Sequence, residues 1–275
     1  MDSPPKKRKT IIGYYSKSTK ARYALNVVNP KEETEKGSSQ TPKGFCDSTG
    51  DQLQDATAPK LRTFDSIHWK RIQSENLNLD YCRLFEKQEA DSILEQCEQE
   101  LEYNTGQLAR VHVFGKWHNI PRKQVAFGDE GLSYTFSRNA VPAREWIPLL
   151  ARIRDQISAL TGFNFNFVLI NRYNDGLDYM GEHKDDEKEL EEHSPIASLS
   201  FGQMRPFVFR HGKSRGKHAT KKIEPITIDL EHGSLLMMKY PTNQHWYHSL
   251  PKRKNLQGVR LNMTFRRMSL PKPKK

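Results

Sequence analysis

The stretch from Gly258 to Met268, GVRLNMTFRRM, constrains the fold more than any other part of this chain. On an extended segment successive side chains point to opposite faces. Arg260, Asn262, Thr264 and Arg266 therefore share one face, and Val259, Leu261, Met263 and Phe265 the other. The apolar set has to meet a core. The polar set then either faces water, as on an exposed edge strand, or lines a cavity. In a cavity, six residues at ~3.3 Å each set the two arginine Cα atoms ~20 Å apart. Long side chains reaching inward from both ends leave room for a short dicarboxylate, held by charge-assisted hydrogen bonds.

A second alternating stretch, 164–173, puts Phe165, Phe167, Leu169, Asn171 and Tyr173 on one face. That face begins apolar and ends in an amide and a phenol, the composition of a strand whose end lines a pocket. Beyond it, in the segment NRYNDGLDYMGEHKDDE (Asn171–Glu187), His183 and Asp185 stand one residue apart. On extended backbone the two project to the same side and make two thirds of a 2-His-1-carboxylate iron site. Three histidines are candidates for the missing ligand: His232, and His245 and His248 of TNQHWYHSL. On one strand, His245 and His248 point to opposite faces, so only one of them can join.

Hydrophobic residues are 35% of 275, low for a chain folded throughout. Residues 1–60, rich in Ser, Thr, Pro, Lys and Gln, read as a disordered basic tail, with the folded domain spanning 61–275. Two short signals stand in the tail. Pro5–Lys9 (PKKRK) is of the nuclear-import type. Residues 8–15 (RKTIIGYY) place an aliphatic residue three positions before paired aromatics, resembling the peptide that docks on the replication sliding clamp, with Arg8 where Gln is usual.

In the domain, helical spacing predicts a helix over 87–103, with Ile93, Leu94, Cys97 and Leu101 on one face and Gly106 to stop it. A stronger stripe, Trp146, Leu149, Leu150, Ile153, Ile157 and Leu160, predicts a helix over 146–160 before Gly162. Short strand-like runs occupy 110–136, and then 164–173, 195–202, 206–210, 223–230, 233–240 and 258–268. Helices first and many short strands after them indicate an α+β fold, with helices packed outside a β-sandwich or barrel.

The net charge is +11, unevenly placed. From Lys252 to the end there are nine Lys or Arg and no acid, and from Arg205 to Lys222 seven, again without an acid. Such stretches beside a pocket suggest a polyanionic substrate, nucleic acid before membrane. No apolar run is long enough for a membrane span or a secretion signal. Cys46, Cys82 and Cys97 lack metal-type spacing and read as free thiols in a reducing compartment. Phe114-Gly115, before Lys116, could form an aromatic wedge, and Tyr134 and Phe136 a wall on which an extracted base stacks.

Together these residues resemble the AlkB family of Fe(II)/2-oxoglutarate dioxygenases, and within it a nuclear branch that repairs alkylated duplex DNA. The likeness runs from about Leu101 to Arg267, through RVHVFGKWHNIPRKQ, SYTFS, FNFVLINRYNDG, GEHKDDE, SPIASLSFG, HGSLLMM, HWYHSLP and RLNMTFR. It implies a double-stranded β-helix (jelly roll). It also implies a reaction in which Fe(II), O2 and 2-oxoglutarate hydroxylate an aberrant N-methyl group that leaves as formaldehyde. By position, it makes His183, Asp185 and His248 the iron ligands, and Asn171, Tyr173, Arg260, Thr264 and Arg266 the 2-oxoglutarate contacts. Phe114, Gly115 and Lys116 become a finger filling the gap left by a flipped base. Phe136 and His183 sandwich that base, Tyr134, Thr135 and Asp186 line its pocket, and Glu187 lies beside it. Arg210, Gly216, Lys217, Arg253 and Lys254 hold phosphates; Asn255 stands where the family has a third basic residue. The implied substrates are 1-methyladenine, 3-methylcytosine and etheno adducts in double-stranded DNA, acted on by a monomer in the nucleus. RNA or single-stranded DNA is the alternative.

Overall fold

The computed structural model describes residues 67–269, apart from 114, 137, 138, 186 and 218. The tail with its import and clamp-docking motifs, and the Phe114 and Asp186 positions, lie outside the described residues. Strands β1 (Lys70–Ser74) and β2 (Leu77–Arg83) form a hairpin turned at Asn76, whose φ of 56° is left-handed. Helix α1 (Lys87–Glu100) follows. Next come the hairpin β3 (Arg110–Val113) and β4 (Lys116–Asn119), then β5 (Lys123–Gly128), then a second hairpin of β6 (Ser133–Phe136) and β7 (Asn139–Pro142). Helix α2 (Pro148–Thr161) leads into β8 (Phe167–Tyr173) and the short β9 (Met180–His183). Strands β10 (Ile196–Gly202), β11 (Arg205–His211), β12 (Ile226–Leu230) and β13 (Ser234–Met238) run up to a one-turn helix, α3 (Thr242–His245). Strands β14 (Trp246–Leu250) and β15 (Arg260–Arg266) complete the order.

The pairing makes two antiparallel sheets. The larger runs β1-β2-β13-β10-β15-β8-β5, and the smaller β12-β11-β14-β9. Their packing gives the jelly-roll architecture, helices outside. Period-2 alternation explains the layering. Val168 and Ile170 of β8, Leu261, Met263 and Phe265 of β15, and Leu199 of β10 face outward into one core with Ile93 and Cys97 of α1 and Leu150, Ile153 and Ile157 of α2. The opposite faces meet across the sandwich, where Tyr173, Leu236 and Met238 pack on Phe207, Phe209, Trp246 and Leu250. At roughly 1.5–3 kcal/mol per fully buried large apolar side chain, these two layers hold the sheets together.

Both long helices differ in extent from the sequence expectation. Helix α2 starts at Pro148, not at Trp146, because a residue before proline is pushed out of helical geometry; Ile147 is extended at φ −82°, ψ 152°. Trp146 instead stacks on Phe265 with ring centroids 6.5 Å apart and donates its indole N–H to Asp129 at 2.9 Å. Gly162, at φ 74°, ends α2 as expected, its N–H reaching the Ser158 carbonyl. Helix α1 stops at Glu100, not Tyr103: Leu101 turns extended and buries its side chain. Gly106 is then not the stop but the start of a 3-10 turn, Gly106–Ala109.

Candidate active site

Strand β15 is the floor of the site. Arg260, Asn262, Thr264 and Arg266 are all buried on the inward face, which removes the edge-strand reading. Register sets Arg260 opposite Tyr173 and Asn262 opposite Asn171 on β8. Gln124 of β5 pairs with Asn171 on the far side. The polar end of β8 and the polar face of β15 therefore form one continuous lining.

The small sheet brings the metal-ligating types. His183 closes β9 and pairs directly with His248 on β14. Asp185 lies two residues past the end of β9. Its carboxylate still returns to both rings, with Oδ1 3.7 Å from His183 Nε2 and Oδ2 3.5 Å from His248 Nε2. One ligand atom from each of the three residues lies within 4.8 Å of the others. The rings stand edge to face at 4.3 Å. His183 Nδ1 is 3.0 Å from the Gly181 carbonyl; donating its proton there leaves Nε2 as a lone pair aimed at the shared space. His245 is not on the ligand strand, since it ends α3 and stacks on His211. His232 is spent on Gly202 N–H and Asp91.

Charge in this pocket is closely balanced. Burial on its own would raise the Asp185 carboxyl, but Arg266 and the two imidazoles hold it below the usual range. Arg266 Nη2 donates to Asp185 Oδ1 at 2.8 Å, and its Nη1 lies 3.3 Å from Glu187 Oε1. Burial pushes His248 down to about 3, which keeps the ring neutral, the form a metal requires. Phe207 and Phe209 flank that ring at 5.4 and 6.1 Å. Burial raises Glu187, with Arg266 opposing. At the other end of β15, burial lowers Arg260 to about 10, still charged at neutral pH.

The two arginines are not equivalent. Arg266 is ion-paired to Asp185 and Glu187, yet its buried Nε, like that of Arg260, has no hydrogen-bond partner and stays available to a carboxylate. Arg260 donates to Ser200 Oγ at 3.0 Å, sits 5.7 Å over the Tyr173 ring, and keeps a buried Nε with no partner. A buried guanidinium with an unused donor beside a phenol fits the distal carboxylate of a keto acid. Thr264 instead turns its hydroxyl to the Leu169 carbonyl at 3.0 Å.

A model of the 2OG-Fe(II) oxygenase superfamily matches residues 81–266. The DNA oxidative demethylase ALKBH2 of Bos taurus is 58% identical over 209 residues, 76% of this chain and 75% of the relative. Its Homo sapiens counterpart is 57% identical, covering 74% of this chain and 78% of that one. The alpha-ketoglutarate-dependent dioxygenase alkB homolog 3 of Bos taurus is 35% identical over 65% of this chain and 61% of its own. The chain belongs to the AlkB family of 2OG-Fe(II) oxygenases. This AlkB-family protein is therefore a dioxygenase that uses iron, 2-oxoglutarate and O2, and the half-buried His183 with the buried Asp185 and His248 is chemically fit to hold Fe(II).

The remaining expected contacts surround this AlkB site unevenly. Tyr134 lies 5.3 Å from the Arg266 guanidinium and 6.2 Å from Phe167, with burial raising its phenol. Thr135 Oγ1 donates to Glu189 at 3.3 Å. The Phe136 backbone is in β6, but its side chain lies outside the described residues. Lys116, Gly115, Lys217, Arg253 and Lys254 are exposed, and Gly216 takes a left-handed φ of 64°. Arg210 is paired with Glu182 at 2.8 Å, and so is Arg215, at 2.9 Å. No helix among the described residues is long and apolar enough to cross a membrane.

Several site-building residues escaped the sequence reading. Arg122 and Gln124 both donate to Asn171 Oδ1, at 2.8 and 2.7 Å, fixing which side of the amide faces the cavity. Arg215 stacks on Tyr247 at 3.6 Å. Buried Arg205 donates to the carbonyls of Asp175, Asp178 and Pro251 at 2.9–3.0 Å, stapling the loop before β9 to the loop after β14. None has a local signal, because each partner is at least 27 residues away.

Proposed function

We propose that this AlkB-family dioxygenase demethylates DNA, and that it removes N-alkyl groups from 1-methyladenine, 3-methylcytosine and etheno-type bases flipped out of duplex DNA in the nucleus. The observation that carries the reading is the closed network from Tyr134 through Arg266 to Asp185. It places an aromatic side chain of hairpin β6–β7 next to the guanidinium that holds the iron-ligating carboxylate. A base stacked there has its edge beside His183 and Asp185. The relatives named DNA oxidative demethylase support the same substrate class.

The residues divide the work. His183, Asp185 and His248 would hold Fe(II). Asn171, Tyr173, Arg260 and Arg266 would seat the keto acid, with Arg260 taking the far carboxylate. Together with O2 these supply the oxidising power for hydroxylating an N-methyl carbon, which is then lost as formaldehyde. The protein decides where that carbon sits: His248, Asp185 and Arg266 are each at most 4% exposed, whereas the His183 side chain is 33% exposed. Lys217, Arg253 and Lys254 contribute phosphate contacts on the exposed rim, and Arg210 joins them by exchanging Glu182 for phosphate. Phe114 fills the gap in the stack. A methylated Watson–Crick edge pairs poorly, so a damaged base costs less to extrude than a normal one. Import through Pro5–Lys9 and clamp docking through residues 8–15 would bring the enzyme to replicating DNA.

The test is turnover, after anaerobic addition of Fe(II) and 2-oxoglutarate, on methylated duplex, single-stranded DNA and RNA, for wild type and Asp185→Ala. Duplex DNA should be the best substrate, and Asp185→Ala should lose turnover while still binding DNA. Preference for RNA would replace the duplex reading, and turnover by Asp185→Ala would overturn the metal assignment.

A further inference from the structure

The one-turn helix α3 carries two consecutive side chains, each of which clamps a stretch of backbone from both directions. Thr242 Oγ1 accepts from the Asn78 N–H at 2.8 Å and donates to the Asn78 carbonyl at 3.2 Å. Next to it, Asn243 Oδ1 accepts from the Asp185 N–H at 3.0 Å, and Asn243 Nδ2 donates to the Asp185 carbonyl. Asn78 is in β2 of the large sheet, Asp185 follows β9 of the small one, and α3 runs straight into β14, the strand of His248.

This arrangement solves a specific problem. The β9–β14 pairing ends with His183 opposite His248, so Asp185 lies beyond the last paired residue although it is 4% exposed. Buried N–H and C=O groups need partners. A primary amide presents one acceptor and donors in the same arrangement as a peptide group. Asn243 thus continues the ladder with its side chain, two residues past the point where the strand gives out.

We propose that Asn243 is a positioning residue of the metal centre. It fixes the Asp185 backbone so that the carboxylate meets Arg266 on one side and the two imidazoles on the other, while Thr242 anchors the clamp to the large sheet. The inference rests on the iron reading of His183, Asp185 and His248 and is independent of the DNA substrate.

The experiment titrates Co(II), as a probe metal followed by its visible absorption, into the metal-free full chain. Wild type is compared with Asn243→Leu, Asn243→Asp and Gln244→Ala. Leucine is near in size and makes neither bond; aspartate keeps the acceptor for the Asp185 N–H and loses the donor. The Co(II) dissociation constant should rise about 10- to 100-fold in Asn243→Leu, the range for losing a partner that orients a ligand. It should rise less in Asn243→Asp and stay unchanged in Gln244→Ala. The metal-free melting temperature should fall by a few degrees in Asn243→Leu, which leaves the Asp185 N–H and C=O unpaired, so affinities are compared at a temperature where every variant is folded. Wild-type affinity and an unaltered Co(II) spectrum in Asn243→Leu would overturn the proposal, as would melting losses in both variants without any change in affinity. If Asn243→Leu does not fold, Asn243→Asp decides alone, and wild-type affinity there counts against it. A wild-type chain that takes up no Co(II) overturns the iron site as well, whereas equal affinities overturn only this inference.

Discussion

Gly176 is the position where one added carbon should reach furthest. Its N–H donates to the Leu256 carbonyl and its own carbonyl accepts from the Arg253 N–H, both at 2.7 Å. The loop between β8 and β9 is thereby laced to the basic loop after β14. The requirement for glycine comes from this close approach, since an added Cβ would lie 1.8 Å from the Arg253 oxygen and 2.8 Å from that of Leu256. An ordinary carbon–oxygen contact is about 3.3 Å, so Gly176→Ala has to drive the Arg253 carbonyl away by ~1.5 Å. Both hydrogen bonds are lost, at a cost of about 1–3 kcal/mol. For a domain of this size that corresponds to a melting drop of roughly 2–12 °C. The displaced segment carries Lys252, Arg253 and Lys254. Each phosphate contact forfeited should lower the slope of log affinity against log salt by ~0.9, so losing those of Arg253 and Lys254 should decrease it by about 2 on duplex DNA. Fluorescence polarisation with a labelled duplex between low and moderate salt reads the slope, and Co(II) affinity serves as a control that should not move. Unchanged melting would refute the close-approach argument. Lower melting with the wild-type salt slope would refute the phosphate role of the loop.

Other perturbations follow from the same geometry. Arg266→Met strips the partner from buried Asp185 and Glu187, and breaking such a pair should cost about 3–5 kcal/mol in a denaturant titration. Arg266→Lys should recover only part of this, because an ammonium cannot fork between two carboxylates; full recovery would show that charge alone matters. Burial pushes the Cys97 thiol up to about 12. The unfolded chain then releases a proton near pH 8.5 that the folded chain keeps, so this stability is fully present below that pH and is lost as pH rises toward 12, at about 1.4 kcal/mol per unit. Cys97→Ala should flatten the alkaline limb of stability by one proton, and identical limbs for the two proteins would count against it.

Legibility in the sequence tracked the length scale of each interaction. The two faces of β15, the stripe of α2 and the His183–Asp185 pair are local patterns, and all could be read in advance. The third histidine could not be chosen from spacing, because the helical turn at Thr242–His245 interrupts what reads as one extended run. The hairpin β1–β2 went unread: β1 is almost wholly exposed, and β2 alternates only once its partner β13 is known. Arg205 and Asn243 look like surface residues in the sequence. Their roles arise from backbone carbonyls and amides that other parts of the chain bring to them. The expected symmetric pair of keto-acid arginines became asymmetric because Glu187 and Asp185 both converge on Arg266.

Strand β15 occupies the middle of the large sheet, between β10 and β8, yet it is the last strand of the described chain to be synthesised. Until it arrives, its two neighbours border an open slot, and both guanidinium groups of the pocket are missing. A partly translated copy is therefore not a feeble enzyme but a pair of unfinished half-sheets with adhesive margins, ready to capture a stray strand. Quality control of this protein should hinge on the codons that specify β15, where completing the fold and acquiring chemistry are one event.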